Sequence, residues 1–260
     1  MPRFAANLSM LFTERPFLDR FAAAAAAGFE AVEVQLPYDF SAADIRARLR
    51  DTGLKLVLHN LPAGDWAAGE RGIACHPDRV GEFRDGVSRA VDYAATLGCD
   101  QLNCLAGIAP AGVSHATLRG TMVENLGFAA DRLAASGIRL LVEAVNTRDV
   151  PGFFVSTTRQ ALALAEEVGS ANLFLQYDAY HMQVMEGDLA PTLERHLSRI
   201  AHVQVADTPG RNEPGTGEIN YAFLFAHLDR IGYGGWVGCE YKPRAGTEAG
   251  LSWLAPWRNR

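Results

Sequence analysis

Short apolar runs, most of them closed by a polar residue, alternate along this chain with longer stretches in which apolar positions recur at helical spacing. The short runs predict strands over Phe4 to Asn7, Ala31 to Gln35, Leu54 to His59, Gln101 to Leu105, Ile138 to Glu143, Leu173 to Asp178, Ile200 to Val205 and Trp236 to Tyr241. The longer stretches predict helices over Phe17 to Ala27, Ala42 to Thr52, Asp78 to Leu97, Ser114 to Ser136, Thr157 to Val168 and Tyr221 to Ile231, each followed by a glycine suited to a C-terminal cap. Alanine is the best helix former, so Ala22 to Ala27 reads as ordinary helix and not as low complexity. The repeated order helix, glycine, strand is the grammar of parallel βαβ units. Eight strands, eight helices and no Ser- or Pro-rich linker favour a closed (β/α)8 TIM barrel, one domain over residues 1–260, rather than an open doubly wound sheet.

Four strand ends in the second half carry the candidate chemistry. Arg139-Leu-Leu-Val-Glu143, Leu173-Phe-Leu-Gln-Tyr-Asp178, Ala201-His-Val-Gln204 and Trp236-Val-Gly-Cys-Glu240 each close on a carboxylate or an amide. They lie about thirty residues apart, the length of one βα unit. Parallel neighbouring strands bring their C-terminal ends together, so Glu143, Asp178, Gln204 and Glu240 are expected to converge. Three carboxylates that close repel one another unless a cation lies between them. An all-oxygen donor set, with Gln204 offering its amide carbonyl, favours one magnesium or manganese ion over zinc or copper. The other strand ends, Asn7, Gln35, His59 and Asn103, are polar as well, and His59 is a candidate for substrate binding. Residues two apart on a strand share a face, which puts Gln176 beneath Asp178 and His202 beneath Gln204 as candidates for orienting the ligands.

The net charge of −6, with acids and bases interspersed, argues against a nucleic-acid surface and suits an enzyme of small metabolites. No stretch reaches the roughly eighteen apolar residues of a membrane span, and the N-terminus has no signal-peptide architecture, so a cytoplasmic location is expected. Cys75, Cys99, Cys104 and Cys239 show no CxxC spacing and are expected to be buried, reduced thiols with no disulfide and no zinc. No GxGxxG follows the first strand and no GxxxxGK[ST] occurs, which removes the dinucleotide and P-loop readings.

Long strings of the chain resemble the hydroxypyruvate isomerase family, within the xylose-isomerase-like barrels that include ketose 3-epimerases and, more distantly, endonuclease IV. The strings are Phe4-Ala-Ala-Asn-Leu-Ser-Met-Leu-Phe, His59-Asn-Leu-Pro-Ala-Gly-Asp-Trp-Ala-Ala-Gly-Glu-Arg-Gly-Ile-Ala-Cys75, Gln176-Tyr-Asp-Ala-Tyr-His181, Glu213-Pro-Gly-Thr-Gly-Glu-Ile-Asn220 and Gly238-Cys-Glu-Tyr-Lys-Pro243. The resemblance implies one divalent metal held by the strand-end acids, Glu143 and Glu240 as acid and base, and His181 on substrate oxygens. It implies interconversion of hydroxypyruvate and tartronate semialdehyde, with a 2-oxo-tetronate isomerase as the nearest rival and a ketose 3-epimerase third. Many relatives have His where this chain has Gln204, a departure that argues further against a zinc nuclease. A substrate carboxylate needs a cation, and Lys242 and Arg211 are the candidates. The glycine-rich run Glu213 to Glu218 reads as a shaped active-site loop, and Ala63 to Arg71, with Trp66, as either a lid or an anchored loop. A homo-oligomer is compatible with all of this.

Overall fold

In the computed structural model, which describes residues 1–258, eight strands close into a parallel barrel in chain order. They are β1 (Arg3–Asn7), β2 (Ala31–Val34), β3 (Lys55–Asn60), β4 (Gln101–Cys104), β5 (Arg139–Glu143), β6 (Leu173–Asp178), β7 (Ile200–Val205) and β8 (Trp236–Cys239). Closure is made by β1 on β8, in register from Arg3 opposite Trp236 to Ala6 opposite Cys239. Register shifts occur at Val32/Glu33 and at Leu175/Gln176. Both fall beside buried polar residues, a setting in which β-bulges recur.

The helices are α1 (Arg20–Ala26), α2 (Ala42–Thr52), α3 (Val80–Leu97), α4 (His115–Ala134), α5 (Thr158–Val168), α6 (Ala179–Met185), α7 (Leu189–Arg195), α8 (Tyr221–Arg230) and α9 (Ala255–Arg258). Their ends are written locally. The Ser41 and Ser114 hydroxyls cap α2 and α4, Thr157 and Gln160 form a capping box on α5, and Gly53 and Gly98 end α2 and α3 in the left-handed conformation. The sequence pattern marks no helix between β6 and β7; the structure has two short ones there, α6 and α7, with Gly187 and Asp188 (φ 66° and 48°) between them. Each is too short to show a helical period.

One large apolar cluster fills the space between strands and helices, with Phe21, Ile45, Met122 and Phe225 among its fully buried members. Each such side chain stabilises the fold by about 1.5–3 kcal/mol relative to exposure. Two small clusters stand apart from it: Ala5, Ala31 and Val57 beside Trp236, and Leu58, Leu141 and Ala201 beside Phe174. Ala5, Ala31, Val57 and Leu141 lie two residues before Asn7, Glu33, His59 and Glu143, so they plug the barrel beneath a polar layer. All four cysteines are free and buried. Among the described residues no helix is long and apolar enough to cross a membrane.

Candidate active site

Glu143 ends β5, Asp178 ends β6, Gln204 is the penultimate residue of β7, and Glu240 is the first residue after β8; all four are buried. Asp178 is also the N-cap of α6, where one carboxylate oxygen accepts the backbone N–H groups of Tyr180 (2.7 Å) and His181 (3.3 Å). The other, Oδ2, is buried with no hydrogen-bond partner. The cap places His181 three residues on, with Nε2 3.6 Å from that free oxygen and 4.0 Å from Glu143 Oε1. Ligand atoms of Glu143, Asp178 and His181 all lie within 4.8 Å of one another.

Hydrogen bonding decides what His181 can do there. Its Nδ1 accepts from the backbone N–H of Asn146 (3.3 Å) and from the Asn146 side-chain amide (2.6 Å), whose oxygen in turn accepts from the Asp149 N–H (2.7 Å). With Nδ1 an acceptor, the ring proton sits on Nε2. Burial, Arg211 and Arg148 hold the imidazole neutral by pushing its pKa well below the ordinary histidine value. His181 is therefore a neutral donor facing two carboxylates, able to hydrogen-bond a substrate oxygen rather than to lend a lone pair.

Glu240 is wrapped by donors. Oε1 accepts from Gln35 (2.7 Å) and from the Arg211 guanidinium (2.7 Å), and Oε2 accepts from Asn7 (3.2 Å) and Gln204. Arg211 also approaches Asp178 Oδ2, at 3.8 Å, so it partly neutralises the acid cluster. Burial nevertheless wins: it pushes the Glu240 carboxyl up to about 7, against the lowering effect of Arg211 and with help from Glu33 and Asp178. The Glu143 carboxyl is raised well above the ordinary value by burial, then by Glu240 and Asp178, with Arg211 and Asn103 opposing. Gln204 is oriented otherwise than its expected role requires. Its NH2 donates to Glu240 and to Glu33 Oε1 (2.8 Å), while its carbonyl accepts from Gln176 (2.6 Å) and so faces away from the acids. The reason is the buried Glu33 carboxylate, which demands a donor.

Glu33 is a functional residue the sequence reading passed over. Fully buried in β2, it receives Asn7 (2.9 Å), Gln204 and His202 Nε2 (2.6 Å), and His202 meets Gln101 beneath it (3.3 Å). A Cβ on Gly238 would come within 2.2 Å of its carboxylate, so the glycine makes room for the acid. A charge flanked by valines in Ala31-Val-Glu-Val34 was the available signal. His202 thus serves Glu33, and Gln176 holds Gln204, so both expected orienting residues lie under the acids.

A cavity of about 110 Å³ opens on this cluster, lined among others by Gln35, Asn60, Glu143, His181, Arg211 and Glu240. That is well below the ~300–1,000 Å³ of a drug-sized ligand site and suits a molecule of a few carbons. Lys242 does not line it: β8 ends at Cys239, the alternation of faces lapses, and Lys242 is exposed. His59 does not line it either; Nδ1 donates to the Asn60 carbonyl (3.1 Å), and burial pulls its pKa down to about 4. The loop 213–218 is organised by the buried Asp207 carboxylate, which accepts the N–H groups of Gly215 (2.9 Å), Gly217 (2.8 Å) and Ile219 (3.0 Å). Trp66 and Arg71 reach the cavity wall from the loop after β3.

The donor set fits a hard divalent cation. Asp178 Oδ2 has no hydrogen-bond partner, Glu143 and Glu240 carry proton affinity raised first by burial and then by the neighbouring acids, and carboxylate oxygens are what such a cation takes. Comparison with known proteins gives the same architecture. Residues 21–257 match the model of the xylose isomerase-like TIM barrel family. The chain belongs to that family. It is 54% identical over 258 residues to hydroxypyruvate isomerase of Escherichia coli, covering 99% of this chain and 100% of that protein. It is 52% identical over 260 residues to 2-oxo-tetronate isomerase of Cupriavidus necator, covering all of both chains. A crystal structure described as an AP endonuclease, family 2, from Brucella melitensis superposes with a TM-score of 0.97 at 49% identity and full coverage of both.

Proposed function

We propose that this xylose isomerase-like barrel is an isomerase of a small oxo-hydroxy acid, interconverting hydroxypyruvate and tartronate semialdehyde (2-hydroxy-3-oxopropanoate) through an enediolate. The observation that carries the reading is the pair Glu143 and Glu240, from β5 and the end of β8. Both carboxyls are buried against one small cavity, and burial raises both, Glu240 to about 7 and Glu143 well above the ordinary carboxylate value. A group that exchanges protons near the working pH is what general acid–base catalysis needs. Full-length identity to relatives named for this chemistry supports it.

One glutamate removes a proton from the hydroxyl-bearing carbon, the hydroxyl proton moves to the former carbonyl oxygen, and the other glutamate returns a proton to the former carbonyl carbon. The Nε2–H of His181 hydrogen-bonds the oxygen on which charge develops, and Arg211 adds a fixed positive charge beside it. Glu143, Asp178 and Glu240 are the residues that would hold a magnesium or manganese ion, which when bound supplies Lewis-acid polarisation of the two adjacent substrate oxygens. The 2-oxo-tetronate reading, one carbon longer, is favoured by the Cupriavidus necator relative at nearly equal identity.

Turnover in heavy water tests the mechanism: deuterium should appear on the carbon that receives the proton. Product free of deuterium points to direct hydride transfer and overturns the two-glutamate scheme. Purified protein assayed on both acids separates the two substrates, and chelator treatment followed by magnesium or manganese should abolish and restore activity.

A further inference from the structure

We propose that Arg71 is the residue that grips the substrate's carboxylate, with Trp66 as its backing, and that this clamp makes the site select oxo acids over neutral sugars of the same length. The proposal rests on the functional reading above and names how that site recognises its substrate class. Among the described residues two cations line the cavity, Arg71 and Arg211. Arg211 is already committed to Glu240 at 2.7 Å and Asp178 at 3.8 Å. Its charge is used in holding the acids.

Arg71 differs in every respect that matters for an anion. Among the described residues no carboxylate pairs with it, although its neighbour Glu70 is engaged by Arg79. Its guanidinium lies over the Trp66 ring, 4.0 Å from the centroid, and one nitrogen, Nη1, donates to the backbone carbonyls of Glu70 (2.6 Å) and Trp66 (3.2 Å). Those contacts fix the plane of the group while spending only one of its three nitrogens. Among the described residues Nε and Nη2 make no hydrogen bond, and this edge of the fork presents two parallel N–H groups in the spacing of a carboxylate's oxygens. With a neutral partner at this point the two N–H groups of this part-buried arginine would turn to water, whereas a carboxylate takes both.

The loop that carries Arg71 is held from both sides. Gly72 bridges to Ala106 after β4, and a Cβ there would meet the Leu105 carbonyl at 2.3 Å, so the backbone lies hard against its neighbour. The Gly72 and Cys75 N–H groups donate to Ala63 (3.0 Å) and Ala106 (2.9 Å). On the outer side the Glu70 carboxylate accepts the Asp65 N–H and pairs with Arg79 from the turn before α3. A segment tied at both ends can hold a fork in place for a ligand, which sets this arginine apart from one on an open surface.

The test uses the magnesium-supplemented protein with Arg71→Met, Arg71→Lys, Arg71→Ala and Trp66→Leu, one pair of substrates and one unreactive acid. With hydroxypyruvate against dihydroxyacetone, its neutral counterpart, Arg71→Met should raise KM for the acid at least tenfold with a much smaller change in kcat. The preference in kcat/KM for acid over neutral substrate should fall with it. Arg71→Lys should recover only part of the loss, because a point charge cannot form the paired bonds, and Trp66→Leu should give a smaller rise in KM of the same kind. Added guanidinium should partly restore Arg71→Ala. Equal losses on acid and neutral substrate, or an unchanged KM, would overturn the clamp. Calorimetric binding of glycerate, an unreactive acid of the same skeleton, separates this proposal from the functional one, which wild-type turnover alone decides. Wild type should bind glycerate at least tenfold more tightly than Arg71→Met even if it isomerised neither acid, and equal affinities or no saturable binding to wild type would refute the assignment.

Discussion

Glu143, Asp178 and Glu240 come from β5, β6 and the residue after β8, whereas Asn7, Gln35 and Asn103 come from β1, the residue after β2, and β4. The second half of the barrel brings acids, and the first half brings neutral donors that hold them. Asn7 and Gln35 donate to Glu240 at 3.2 and 2.7 Å, and Asn103 donates to Glu143 at 2.9 Å. Neutral amides fix the direction of a carboxylate while lowering its proton affinity far less than a full positive charge would. Glu240 shows the balance: even with Arg211 against it, burial keeps it at about 7. The half that reacts and the half that positions are therefore separable by substitution.

The largest effect should come from the reacting half. Glu143→Gln and Glu240→Gln keep size and hydrogen bonding but cannot exchange the proton, so each should lower kcat by at least the roughly hundredfold typical of a lost general acid or base. Steady-state kinetics with circular dichroism checks this. If either variant, shown to be folded, retained near-normal turnover, that glutamate would belong with the positioning groups and the division would fail.

Next is the dependence of stability on pH in chelator-treated protein. The Glu240 carboxyl rises from an ordinary 4.5 to about 7 on folding. A folded-state pKa above the unfolded one means that protonation favours the fold, so this contribution is present below 4.5 and is lost as pH rises through about 7. Its full size is about 3 kcal/mol, or roughly 5–10 °C in Tm for a chain of this length. Thermal denaturation at pH 5 and pH 8 should show the lower Tm at pH 8, and excess magnesium should abolish or reverse the difference, because deprotonated acids then bind the cation. A metal-free Tm that rises with pH in this window would mean that Arg211 and the amides outweigh burial.

The division of labour was legible in the sequence only on its acidic side. Glu143, Asp178 and Glu240 could be read because strand ends in a parallel barrel meet at one face, and the glycine-capped helices fixed where those ends fall. Gln204 could be placed but not oriented, since the direction of its amide depends on Glu33 and Gln176 from β2 and β6. Lys242 was read by extending a two-residue period past Cys239, where the strand has ended. Arg71 and Asn146 lie in loops, and their roles follow from a ring stack and a backbone N–H that no local pattern announces. Asn60 also ends β3 one residue later than the apolar run implies and joins the amide network through Asn103 (3.2 Å).

Glu33 is the exception that crosses the halves, an acid of β2 bonded to His202 and Gln204 of β7. Gly238→Ala probes it, because the new methyl would stand 2.2 Å from the Glu33 carboxylate. Overpacking of this kind costs about 1–3 kcal/mol. Shortening the acid with Glu33→Asp in the same chain should relieve part of that cost, measured as a less than additive loss in denaturant midpoint. Additive losses would mean that the glycine is needed for a reason other than room for Glu33.

The smallest effect should come from the positioning half, and it sharpens the comparison most. Asn103 gives Glu143 its hydrogen bond and lowers that carboxyl's pKa, against burial that raises it. Asn103→Leu keeps the branching and heavy-atom count of the side chain, removes the donor and leaves one buried carboxylate oxygen without its partner. The expected cost is about tenfold in kcat/KM, near the low end of the ~1.5–3 kcal/mol for a hydrogen bond to a charged group, because the cavity admits water to the vacated site. The direction of the pH effect is the more telling readout. Without the donor the Glu143 carboxyl holds its proton more tightly, so the acid limb of the kcat/KM profile should move to higher pH, while Gln35→Leu should move the limb governed by Glu240 in the same sense. A loss of activity with an unmoved acid limb would show that Asn103 sets the shape of the cavity and not the proton affinity of the acid beside it.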